Sequence, residues 1–233
     1  MSDKSGFLGT RIDELVNGLA GIYERIDRDQ AVWKNASPFH CRDGCGSCCE
    51  DFEPDVLECE AVYLAAWMMH HQPERANSIL DGSFVPPRPD PERGCVFYDP
   101  ANPYHCTVYG GRVLICRLFA YTGDRGKDGL SRWKPCKFLP LEGTDRGEER
   151  RRQYSGAELE ERFGAAPPIM SDITAQAVAL SPDSANDRKP LRAALLAALE
   201  RLTLLKRFIG TVPSPENPEP NSPQPNAPQP RAS

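Results

Sequence analysis

His40-Cys41-Arg42-Asp43-Gly44-Cys45-Gly46-Ser47-Cys48-Cys49 places four cysteines within nine residues of a chain that has nine cysteines in all. Cys45 and Cys48 have the two-residue spacing that lets a tight turn bring two thiolates onto one metal, and Gly44 and Gly46 permit the bends such a turn needs. Cys41 is close enough along the chain to reach the same site or a second one beside it. Neighbouring backbone positions send Cys48 and Cys49 in different directions, so one of them is expected to serve another site. The bland alternative, four small buried hydrophobes, sits badly among glycines and charges.

A second constellation follows: Gly94-Cys95-Val96-Phe97-Tyr98, His105-Cys106-Thr107-Val108-Tyr109-Gly110-Gly111-Arg112, Cys116-Arg117 and Pro135-Cys136-Lys137. The candidate metal ligands are therefore Cys41, Cys45, Cys48, Cys49, Cys95, Cys106, Cys116 and Cys136. Eight thiolates suffice for two four-thiolate sites, for one cluster plus redox thiols, or for one site with spares, and either zinc or an iron-sulfur cluster fits them. Four thiolates on zinc or on a [4Fe-4S]2+ core leave a net charge of about −2. Arg42, Arg112, Arg117, Lys134 and Lys137 lie where cations and donors to sulfur belong. His40 and His105 each adjoin a cluster cysteine and are alternative nitrogen ligands. Cys59 has no partner at ligand spacing. It is read as structural, so its replacement is expected neither to release metal nor to lower stability.

The formal charge of −5 supplies no broad positive field for a phosphate backbone, which argues against nucleic acid. The opening residues lack a basic segment followed by an apolar run, and no stretch approaches the roughly 18 apolar residues of a membrane span. A cytoplasmic location is expected, and thiols kept reduced there favour metal over disulfides. The competing account, for an exported chain, is four disulfides and one free thiol.

Around the cysteines the sequence predicts helices. Thr10, with Asp13, opens an amphipathic repeat through Ile12, Leu15, Val16, Leu19, Ile22, Tyr23 and Ile26. Asp55, with Glu58, is expected to open a second helix ending near Pro73, and Pro86-Pro87-Arg88-Pro89 an extended connector. Ser155 and Glu158 cap a short helix ending near Gly164. Pro190 is expected at the first turn of a last helix striped by Leu191, Leu195, Leu199, Leu202 and Leu205 and ended by Gly210. The expected fold is mainly α, a small α+β arrangement in which helices pack around irregular, short-stranded metal-binding loops. Its divisions are an N-terminal helix (1–34), a cysteine-cluster domain (35–140), a C-terminal helical segment (141–210) and a disordered Pro-rich tail (211–233). The tail and the last helix are the two places where a protein partner would engage.

The run from Cys41 to Cys49, followed by Cys95, by Cys106-Thr107-Val108-Tyr109-Gly110-Gly111-Arg112 and by Cys116-Arg117, resembles the YkgJ-like cysteine cluster proteins. That resemblance covers about 100 residues and implies chelation of zinc or iron, including as an iron-sulfur cluster. The chain departs from the family pattern at Cys41, three residues from Cys45 where the family usually has two, and at Val113, in place of a common proline. The pattern is also similar to part of the flagellin lysine methylases, which would imply an iron-sulfur-dependent enzyme. Against catalysis, the sequence has no Gly-x-Ser-x-Gly elbow, phosphate loop or His-Glu-x-x-His helix, and no catalytic residues are assigned. Three functions follow: a metal-binding protein with a structural, carrier or redox role, such an enzyme, or an interaction module with a structural zinc.

Overall fold

The computed structural model describes residues 9–41, 45–88, 90, 93–139, 152–184 and 186–209. Arg42, Gly44, Gly210 and the Pro-rich tail lie outside them.

Helix α1 (Arg11–Ala36) begins as its sequence predicts: Thr10 Oγ1 accepts the Asp13 amide at 3.3 Å, and the Asp13 carboxylate accepts the Gly9 amide at 3.2 Å. Its apolar stripe, with Leu15, Leu19, Ile22 and Ile26, is buried. Helix α2 (Glu58–His71) is the central element, packed on α1 on one side and on the last helix on the other, with Ala61, Val62, Leu64, Ala65 and Met68 buried. A helix apolar nearly all round is one enclosed by its neighbours.

The start of α2 differs from expectation. Asp55–Val56 form a short strand, β1, paired antiparallel with Lys189–Pro190 (β5 in chain order), so the helix cannot begin at Asp55. Its N-terminus is closed instead by Glu60, whose Oε2 accepts the Leu57 amide at 2.8 Å. The proline expectations shift likewise: Pro73 opens α3 (Pro73–Leu80), where its missing amide costs nothing, and Pro190 lies in β5, one residue before the last helix.

Downstream come α4 (Leu114–Leu118), strands β2 (Asp124–Arg125), β3 (Ser131–Trp133) and β4 (Tyr154–Ser155), α5 (Gly156–Phe163), α6 (Met170–Leu180) and α7 (Leu191–Ile209). Strands β2, β3 and β4 make an antiparallel sheet, with Asp124 opposite Arg132 and Trp133 opposite Tyr154. Ser155 caps α5, and Gly164 ends it in the left-handed region at φ 72°. On α7 the stripe Leu191, Leu195, Leu199 and Leu202 is buried within the chain. Among the described residues the fold is mainly α with two small sheets.

Two cores result. The larger gathers α1, α2, α4, α6 and α7. The smaller is aromatic: Trp33, Phe39, Trp133, Tyr154, Leu139 and Leu159, with Trp33 and Trp133 rings 5.3 Å apart and Phe39 and Trp133 rings 4.7 Å apart. Trp33, near the end of α1, belongs to the second core while the rest of the helix serves the first. No helix among the described residues is long and apolar enough to cross a membrane.

Candidate metal centre

The two cysteine segments are pressed together by backbone contacts that only glycine allows. A Cβ on Gly46 would overlap the His105 Cβ and come within 2.9 Å of Tyr98, and one on Gly94, at φ 67°, would lie 2.5 Å from the Glu50 carbonyl oxygen. Arg88 ties the same join. It is 8% exposed and donates to the carbonyls of Glu50 (2.9 Å), Cys95 (3.1 Å) and Asp90 (2.5 Å), so one guanidinium holds both segments. This role of Arg88 is absent from the sequence reading, where it is one residue of an extended connector. An arginine among prolines carries no signal of which carbonyls it will meet.

Between the segments is a cavity of ≈60 Å³ lined by Cys45, Cys48, Cys49, Cys95, Cys106 and Cys116, with His105 and Arg112 at its wall. Cys136 and Cys48 line an adjoining cleft. Cys95, Cys106 and Cys116 pack against the helical core, and Cys41 and Cys136 against the aromatic core. The cysteines thus occupy the seam between the cores. The Cys41 amide donates to the Tyr121 hydroxyl at 2.6 Å, which anchors the first of them. No disulfide joins any of the nine.

Electrostatics separate the thiols. The Cys48 and Cys49 sulfurs are 3.8 Å apart, and their contact holds Cys48 below the usual thiol value, at about 7, while pushing Cys49 up. Burial, then Cys45, Cys136 and Cys48 nearby, pushes Cys41 up to about 12. Burial, then Cys95, Cys106 and Cys48, pushes Cys116 up, and burial pushes Cys95 up to about 11 and raises Cys106. Cys41 thus has Cys45, Cys136 and Cys48 near it, and Cys116 has Cys95, Cys106 and Cys48, so Cys48 is near both.

The chemistry of this donor set suits a soft cation. Buried thiols resist ionisation until a positive charge replaces their protons, and a thiophilic metal supplies it. The 3.8 Å separation of Cys48 and Cys49 equals ordinary sulfur contact and also about the edge of a tetrahedron with 2.3 Å metal–sulfur bonds. Among the described residues, however, no three His, Cys, Asp or Glu side chains already converge on one point, so coordination requires side-chain rotation.

The remaining candidates divide. His105 lines the cavity, its ring stacked on Tyr98 at 5.9 Å, whereas His40 is exposed and outside it. Arg112 lies beside Cys48, Cys106 and Cys116, as a compensating cation should. Arg117 does not serve sulfur: it donates to the carbonyls of Arg112 (2.9 Å) and Gly110 (2.8 Å) and covers the Tyr23 ring. Cys59 is buried in the helical core, its thiol 3.6 Å from the Ala177 carbonyl, and it lines neither the cysteine cavity nor the cleft. Sequence reasoning also passed over Glu60, whose other oxygen accepts the Leu114 amide at 2.7 Å and so fixes the start of α4, the helix carrying Cys116.

Residues 40–143, a little under half of the chain, match the family model CxxCxxCC, described as a putative zinc- or iron-chelating domain. The segment is similar to CxxCxxCC domains. No curated protein and no solved structure is detectably similar to the chain. The CxxCxxCC match runs from beside Cys41 to just past Cys136, so it takes in all eight clustered cysteines.

Proposed function

We propose that the protein binds zinc or an iron-sulfur centre at the seam of its two cores, with Cys41, Cys45, Cys48, Cys49, Cys95, Cys106, Cys116 and Cys136 as ligands. The observation that carries this reading is the convergence of residues 45–49 with residues 95–116 on a single cavity. The packing supports two ligand groups: Cys41 and Cys136 on the aromatic side, and Cys49, Cys95, Cys106 and Cys116 on the helical side, with Cys45 and Cys48 between them. A centre here cross-links loops that bury little apolar surface themselves, offsetting the chain entropy lost in ordering them. The role is structural in the first instance, with carriage of metal or electrons built on it, in a reducing, cytoplasmic compartment.

One observation favours a second reading, an iron-sulfur-dependent enzyme. Cys41, Cys45 and Cys48 fall at Cys-x3-Cys-x2-Cys, the three-thiolate spacing of radical signatures, which reading Cys45 and Cys48 as a pair conceals. Purification without oxygen, followed by elemental analysis and a visible spectrum, tests both. A brown protein with iron and acid-labile sulfide supports a cluster, a colourless one with stoichiometric zinc supports a structural site and removes the second reading, and protein that retains neither metal refutes the proposal.

A further inference from the structure

We propose that the cleft beside Cys48 and Cys136 binds a small molecule with an apolar body and an anionic head, and sets it against the metal centre. The placement against metal rests on the function proposed above. The cleft itself is a separate feature of ≈470 Å³. That volume is within the range of about 300–1,000 Å³ typical of small-molecule sites, which are mostly apolar with a few placed polar groups.

Its composition defines the ligand. Phe52, Phe119 and Phe138 form the apolar walls together with Leu118 and Met170, and Cys48 and Cys136 stand at one side. Phe52 and Phe119, in edge-to-face contact at 5.7 Å, line both the cleft and the cysteine cavity and form the partition between them. A ligand in the cleft is therefore one ring away from the thiols of the inner cavity and in direct reach of Cys48.

The charges set the head group. Lys134 and Lys137 line the cleft, and among the described residues neither forms an ion pair. The acidic group beside them, Asp51, is already paired with Arg93 at 2.5 Å. The Lys137 ammonium lies 4.7 Å from the Phe138 ring centre, at the boundary of apolar wall and charge. A carboxylate reaching these lysines, with a ring or short chain among the phenylalanines, satisfies both halves.

The surface gives independent support. Among the described residues the exposed large aromatics are Phe52, Tyr104, Tyr109, Phe119, Phe138 and Phe208, and all but Phe208 line the cysteine cavity or the cleft. Exposed rings concentrated on one face mark a place where something binds.

The test uses the full chain, metal-loaded, with 4-phenylbutyrate as probe and 4-phenylbutyramide as its neutral counterpart, followed by ligand-detected NMR titration with metal content measured in each sample. The acid should bind saturably, and the amide at least ten-fold more weakly. Phe138→Asp, which removes a wall and adds a repelling carboxylate, should weaken the acid at least ten-fold while metal is retained. The double variant Lys134→Met, Lys137→Met should abolish the preference for acid over amide. Equal binding of acid and amide, or an acid affinity unchanged by Phe138→Asp, would overturn the proposal. A metal-loaded chain that binds neither probe refutes the cleft alone. A chain without metal that still binds the acid refutes the metal centre and leaves the cleft standing.

Discussion

The helical core and the cysteine seam are held together by different means. In the helical core, α1, α2, α6 and α7 bury residues that recur at helical spacing, and each helix contributes apolar area to its neighbours. Such burial, at about 25 cal/mol per Å², stabilises without need of any ligand. Among its described residues the seam has the five-residue helix α4, short turns and the loops bearing the cysteines. It is ordered by a few directed contacts: the Arg88 fork, the Glu60 carboxylate, the Tyr121 hydroxyl and two close glycines. If the proposed centre is present, the helical core should fold on its own account while the seam should depend on the metal.

The most severe way to test that contrast is to remove the metal. Cys45→Ser and Cys48→Ser should each release it and lower stability on the order of 5 kcal/mol, because binding a structural metal and folding its site are one equilibrium. Hydrogen exchange should show the loss as local: amides of residues 93–121 and 133–139 lose protection, while α2 and α7 keep theirs. Uniform loss across both regions would show that the helical core has no independent stability.

A smaller blow falls where the two regions are joined. Glu60 is 1% exposed and accepts at once from the Leu57 amide, just before α2, and from the first amide of α4, with Arg188 3.9 Å away. Glu60→Ala leaves two buried donors unpaired and should cost about 3 kcal/mol, measured by denaturant unfolding. Because α4 carries Cys116, metal affinity should fall too, whereas a change confined to stability would mean that α4 is placed by packing alone. Glu60→Gln refines the point. Burial raises the Glu60 pKa, so this group's contribution is complete below its unfolded value and declines as pH rises through the folded one. The stability of the native chain relative to Glu60→Gln should therefore fall on going from below about pH 4.5 towards neutrality. A gap that widens instead would mean the two amides outweigh burial.

The same division explains what the sequence could disclose. The stripes of α1 and α7, the Thr10 and Ser155 caps and the Gly164 terminator are local patterns, readable because periodicity and capping act within a few residues. The strand pairing of Asp55–Val56 with Lys189–Pro190 joins segments more than 130 residues apart, and it overrode a plausible local cap at Asp55. Helix α6 starts at Met170, after an Ile169 that offers no side-chain cap, and is rich in alanine, so neither of its ends was marked. At the seam the cysteines were singled out by spacing, and six of them line one cavity. Their partners were not: Arg88 and Glu60 act through carbonyls and amides distant in sequence, and residue type alone does not say which ones they meet.

The mildest perturbation asks whether cysteines belong to the seam by position or merely by being cysteines. Cys59 is as buried as any thiol in the molecule, yet it lies on α2 with its sulfur 3.6 Å from the Ala177 carbonyl of α6, within the helical core. Burial pushes its pKa up to about 12, so it stays a neutral thiol and behaves as a small hydrophobe. Cys59→Ala removes one sulfur's worth of packing and should cost about 1 kcal/mol, seen as a modest shift in the denaturant midpoint. Metal content should equal that of the native chain, and the exchange pattern of the loops around residues 95–116 should be unchanged. Metal lost from this variant would place a ligand inside the helical core and dissolve the distinction between the two regions.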